Sequence, residues 1–198
     1  MKGRKHRITY GSLAMVLLAL VGCSSPSSVH YYQLPQFVQQ GQPLASHAPV
    51  LVVEPVMVAN YLNSNALVLQ TSDVALHKTQ QHQWAEALDQ QLTRLLVQHL
   101  AQSLPNYRIT ERAPQTPHAR VLVQVEQFHG SVQGTVFVSG KFHLTTAEGI
   151  IQQQFHWQLP QAEAGYPALV SALGQGWQQL ASQITSLLRP DVLQQKNG

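Results

Sequence analysis

The chain has a single cysteine, Cys23, so no disulfide can form within it whatever the redox state of its compartment. Charge is also scarce, at 11% of residues. Four of the twelve Lys and Arg residues (Lys2, Arg4, Lys5 and Arg7) precede Cys23 and none of the nine acids does, so eight basic residues against nine acidic ones leave the remainder at −1. A chain without a Lys/Arg cluster lacks the footprint that a phosphate backbone requires, which sets nucleic acid aside as a partner. The apolar run over 8–22 falls short of the roughly 20 residues of a spanning helix. Catalytic motifs are missing too: there is no G-x-S-x-G elbow, no H-E-x-x-H and no second cysteine for a zinc site. Glu126, on a polar strand face, and Asp73, in a turn, do not pair as acid and base.

Ten histidines raise the question of a metal. His77 and His82 lie five apart across an expected strand-to-helix junction. His143 and His156 fall on the polar rows of neighbouring strands, where they would be spatial neighbours with no carboxylate in register to orient them. This pair reads as solvated imidazoles. No catalytic residue, metal site or cofactor is expected.

What the first residues do contain is an ordered pair of signals. The four basic residues lead into an apolar stretch over 13–21, the layout of a secretory signal peptide. Leu20-Val21-Gly22-Cys23 closes that stretch with a small residue before the thiol and resembles the lipobox of bacterial lipoproteins. The resemblance implies that residues 1–22 are a removable signal and that Cys23 becomes a lipidated N-terminus carrying diacylglycerol and palmitate-type chains. Each buried methylene contributes about 0.8 kcal/mol, so one acyl chain holds marginally and several hold durably. Ser24 resembles the outer-membrane sorting type, since the aspartate associated with inner-membrane retention is absent. Ser24-Ser25-Pro26-Ser27-Ser28 is small and polar, part of a lipidated tether over 23–30. Its reach is only about 20 Å.

Removing the signal leaves 176 of the 198 residues, enough for one domain that buries roughly 70% of its unfolded surface. We place that domain over 31–190, with a tail over 191–198. Tyr31-Tyr32-Gln33-Leu34-Pro35 reads as a short strand ended by proline, and Val50-Leu51-Val52-Val53 as a strand buried on both faces. Trp84 is expected to open a helix with Leu88, Leu92, Leu95, Leu96 and Leu100 on its dry side and Gln90, Gln91, Arg94 and Gln98 on its wet side. From 120 to 159 the pattern alternates with period two through three segments, with Gly130 to Gly134 as the first turn. Leu169, Leu173, Trp177, Leu180, Ile184 and Leu187 mark a second helix, entered at Pro167. The fold class is α/β of α+β character: a mixed, largely antiparallel sheet with two main amphipathic helices packed on one face. Tyr61-Leu62-Asn63-Ser64-Asn65 reads as an exposed loop, which makes Tyr61 and Leu62 the candidate partner contact. Abundant glutamine and little charge favour a protein that works in an assembly.

These segments resemble, in order, a known family. The lipobox, Tyr31-Tyr32-Gln33-Leu34-Pro35, Val53-Glu54-Pro55-Val56, Tyr61-Leu62, Gln70-Thr71-Ser72-Asp73-Val74, Trp84-Ala85-Glu86, Leu88-Asp89-Gln90-Gln91-Leu92 and Val138-Ser139-Gly140 are similar to the PqiC family of ABC-type transport auxiliary lipoproteins. The resemblance covers most of the chain after the tether. It implies a non-enzymatic outer-membrane lipoprotein whose periplasmic domain forms a homo-oligomeric ring. That ring would receive an MCE-domain tunnel protein and its inner-membrane partner, for lipid transport and envelope integrity. Cys23 carries over as the acylated residue, and no catalytic residue does. A lipoprotein regulator of a cell-wall synthase is the alternative, but it needs a longer linker than this tether supplies.

Overall fold

Valines at 121, 123 and 125 alternate along the strand on which the whole sheet is built. The computed structural model describes residues 28–36, 44–116 and 118–188; Cys23, the segment over 1–22 and the tail over 191–198 lie outside them. In chain order the elements are β1 (His30–Tyr32), β2 (Val50–Val53), β3 (Met57–Val58), a 3-10 turn (Asn60–Leu62), β4 (Ala66–Ser72), β5 (Ala75–Trp84), α1 (Leu88–Ser103), β6 (Arg108–Thr110), β7 (Ala119–Ser131), β8 (Thr135–Thr146), β9 (Gly149–Pro160) and α2 (Tyr166–Leu188). Among the described residues the strands join into one nine-stranded mixed sheet, an α+β fold.

Both edges of β7 are occupied. Along one edge it takes β2, β3 and β4 in succession, all parallel, through Val53 beside Val121, Val58 beside Val125 and Gln70 beside Ser131. Along the other, β8 pairs antiparallel from Arg120 opposite Thr145 to Gly130 opposite Val136, and β9 adds outside β8. β5 pairs antiparallel with β4, and β1 lies parallel to the end of β5. Parallel neighbours need crossover connections of about a dozen residues or more, and the chain between β2 and its neighbour β6 holds α1 as such a crossover.

The helices close one face of this sheet. α1 packs on β2, β3 and β6, α2 packs on β7, β8 and β9, and the helices touch each other. The α1 stripe of Leu88, Leu92, Leu95, Leu96 and Leu100 and the α2 stripe of Leu169, Leu173, Leu180 and Ile184 are buried as their spacing requires. Each such side chain contributes about 1.5–3 kcal/mol on burial. Trp177 lies at the centre, edge-on to Phe128 at 6.2 Å, and its indole N–H donates to the Leu92 carbonyl at 3.0 Å. Next to it Gly176 lets α2 settle on β8, since a Cβ there would stand 2.7 Å from Val138 Cγ2.

Four features differ from the sequence reading. Trp84 ends β5 instead of opening a helix, and it is buried against Phe128. Gln91 is fully buried, not on the wet side of α1: its Nε2 donates to the Glu86 carbonyl at 2.9 Å and its Oε1 accepts the Leu34 N–H at 3.1 Å. That bond pins the segment after β1 to a helix whose N-cap, Ala87, offers no side-chain acceptor. The segment expected as an exposed loop begins with the Asn60–Leu62 turn and folds back on the domain, with Leu62 only 3% exposed. Finally β7 continues through Gly130 to Ser131, so the turn expected over Gly130 to Gly134 begins only at Val132.

Two substitutions test this packing. A Cβ at Gly140 would collide with the Gln124 carbonyl oxygen and lie 2.8 Å from the Phe155 ring, so Gly140→Ala should destabilise the domain by about 1–3 kcal/mol in urea unfolding. Gln91→Ala strands a buried N–H and should cost about 1–3 kcal/mol, while Gln90→Ala on the exposed side changes little.

Candidate functional site

The parallel pairing of β4 with β7 sends their hairpins the same way, so the β4–β5 tip and the β7–β8 tip share one pole of the domain. α2 begins there as well: Tyr166 and Leu169 line a cleft of about 680 Å³ with Leu69, Val132 and Pro160. The opposite pole holds the β8–β9 turn and the end of α2, which flank a groove of about 860 Å³ lined by Pro49, Tyr107, Ile150 and Leu187.

β1, the first described strand after the tether, is fastened by rings. His30 stacks on His82 at 5.4 Å and 13°, and His82 stacks on Tyr166 at 3.6 Å and 18°. The Tyr32 hydroxyl completes the set with a 2.9 Å hydrogen bond to His82 Nδ1. One cluster therefore joins β1, β5 and the first residue of α2. Desolvation, with the neighbouring His30 second, holds the His82 imidazole below its ordinary range; desolvation, then Tyr166, raises the Tyr32 hydroxyl. Periodicity in β5 could not reveal this cluster, because a bulge shifts the register between Val68 opposite Lys78 and Ala66 opposite Gln83. In that bulge Thr79 is buried, and its hydroxyl reaches the Leu67 carbonyl at 3.0 Å and the His82 carbonyl more closely still.

The residues singled out from sequence lie elsewhere. Cys23 is outside the described residues. Leu62 belongs to the core and Tyr61 packs against it, its hydroxyl donating to the Glu126 carbonyl at 2.9 Å and its ring edge-on to His129 at 6.3 Å. Burial pushes that hydroxyl up to about 12; Leu62 is buried and Tyr61 half-buried, so this segment lies on the domain and is not an exposed loop. His77 and His82 share β5 instead of spanning a junction. His143 faces Gln152 and His156 faces Ser139, four residues along β8, so the two histidines are not neighbours. Among the described residues no three His, Cys, Asp or Glu side chains converge, and no helix is long and apolar enough to cross a membrane. At the start of α1, Glu86 and Arg94 pair through both guanidinium nitrogens, at 2.5 and 2.9 Å, which lowers the Glu86 carboxyl.

Burial holds His82, His99 and His129 below the ordinary value of 6.5. The unfolded chain then takes up protons first, so their contribution is complete above 6.5 and is lost as pH falls from 6.5 toward the lower folded values. The urea midpoint should therefore drop between about pH 7.5 and about pH 5.5, and His129→Phe should make the drop smaller.

Comparison with known proteins agrees with this architecture. Residues 32–185 match the family described as ABC-type transport auxiliary lipoprotein component. Proteins named intermembrane transport lipoprotein PqiC, from Escherichia coli K12 and from Shigella flexneri, are each 34% identical over 179 residues, covering 89% of this chain and 96% of theirs. A solved structure titled only as an uncharacterized protein superposes with a TM-score of 0.74 at 34% identity, covering 82% of this chain and 99% of that one. A Xanthomonas campestris protein shares the fold, at TM-score 0.65 and 14% identity, over 85% of this chain and all of the other. With the match running from β1 nearly to the end of α2, the chain belongs to the PqiC family of ABC-type transport auxiliary lipoproteins.

Proposed function

We propose that this protein is the outer-membrane-anchored lipoprotein subunit of an MCE-type intermembrane lipid transport system. After removal of residues 1–22, acylated Cys23 holds the domain on the periplasmic face of the outer membrane. There it docks the end of an MCE-domain tunnel rooted in an inner-membrane partner. The observation that carries this reading is the brevity of the leash: six residues separate Cys23 from His30, where the ring cluster fastens the chain to the body. A domain held this closely works at the membrane and does not range across the periplasm. Its contribution is positional, with no cofactor beyond the covalent lipid.

Self-association into a ring is supported by β9. Its twelve residues carry no formal charge, four of them are glutamine, and among the described strands its outer edge is unpaired. Strands that stay monomeric usually protect such an edge with charge or a bulge.

The anchor is tested by Cys23→Ala expressed in a Gram-negative host. The variant should keep the folded domain, leave the outer-membrane fraction and cease to hold an MCE-domain protein there. Unchanged fractionation would contradict the proposal.

A further inference from the structure

The hairpin pole exposes apolar side chains that no packing requirement explains. Val74, in the β4–β5 turn, is 95% exposed; Val132, at the β7–β8 tip, is 60% exposed; Leu76, at the start of β5, is 46% exposed. The sheet brings them together. Gln70 pairs with Leu76 on one side and with Ser131 on the other, and its carbonyl accepts the Val132 N–H at 3.0 Å. Leu76 and Val132 thus flank one strand at one level, about 10 Å apart at the usual strand spacing, and Val74 stands at the turn beyond them. The arm over 71–78 is exposed at every residue but Ala75. Its acid, Asp73, lines a polar hollow of about 410 Å³ with Gln70, Gln133 and Gln158.

The leash can reach the same pole. β5 runs from its tip at Ala75 toward Trp84, and β1 lies parallel to it with His30 beside His82, so β1 is entered from the tip side. From the level of His82, near Ala66, to the tip at Ser72 is six residues, about 20 Å at roughly 3.4 Å each. The seven steps of chain from His30 back to Cys23 can reach at most about 23 Å. A lipid at Cys23 can therefore reach the height of Val74.

We infer that this pole rests in the bilayer surface, with Val74, Leu76 and Val132 entering the headgroup–acyl boundary beside the lipidated Cys23. The inference rests on the anchoring proposed above and adds a second, non-covalent contact that fixes the orientation of the domain. The cleft between α2 and the β7–β8 tip then opens at the membrane, and the groove at the end of α2 faces the periplasm.

The test uses the full-length lipidated protein reconstituted in phosphatidylethanolamine–phosphatidylglycerol vesicles. Val74→Cys, Val132→Cys and, at the far pole, Ile150→Cys are each labelled with an environment-sensitive fluorophore, and acylation of Cys23 leaves no other thiol to react. The labels at 74 and 132 should shift to the blue and lose intensity to lipids carrying quenchers on their acyl chains, while the label at 150 stays aqueous and unquenched. If all three stay aqueous on protein that floats with the vesicles, the inference is overturned and the anchor stands. Labels at 74 and 132 that change only on adding an MCE-domain protein also overturn it, in favour of a protein-docking pole. Protein that does not float removes the anchor, and the inference with it.

Discussion

The structure depends on one strand having no free edge. β7 gives one side to three short parallel strands and the other to β8, so no neighbour can slip without displacing the rest. Each parallel contact sets a direction as well as a register. β4 beside the end of β7 sends two hairpin tips to one pole, and β1 beside β5 is entered from the side of that pole. The close approach of Gly140 to the Gln124 carbonyl, beside the bulge in β7, shows how little slack this arrangement has.

Two kinds of pattern were legible in the sequence. The period-two rows of β7, β8 and β9 and the leucine stripes of both helices each bury one face of a regular element, which local spacing can express. Less of the rest was legible. β2, β3 and β4 take their places from β7, far along the chain, and the residues of β5 from His77 to Gln83 show no alternation because a bulge interrupts them. Gln91 illustrates a different loss. It lies three residues after Leu88 and four before Leu95, on the dry stripe, but its polarity points outward in the sequence, and the buried Leu34 N–H that needs its acceptor lies far along the chain. Tyr61 and Leu62 were misplaced because an asparagine-rich segment can cover a sheet as well as leave it. The ring cluster of His30, His82, Tyr32 and Tyr166 draws on three elements and left no trace in any single window.

The division of the molecule into two ends suits an auxiliary transport lipoprotein. One end carries the apolar hairpin tips, and the other offers the groove at the close of α2 and the β8–β9 turn. Between them the core carries no convergent constellation of acids, histidines and thiols among the described residues. On the proposed reading the fold contributes placement: Trp177 and Gln91 staple the elements into one body with a surface at each end. The low charge and the bare edge of β9 suit a body that meets its own copies side by side.

Everything assigned to the membrane side begins at one sulfur atom. The most direct measurement is the intact mass of the mature protein extracted from membranes, with fragmentation of its N-terminal peptide. The account predicts a chain that starts at Cys23 and carries diacylglycerol and a further acyl group there. A free thiol at Cys23, or a chain that retains residues 1–22, would contradict it.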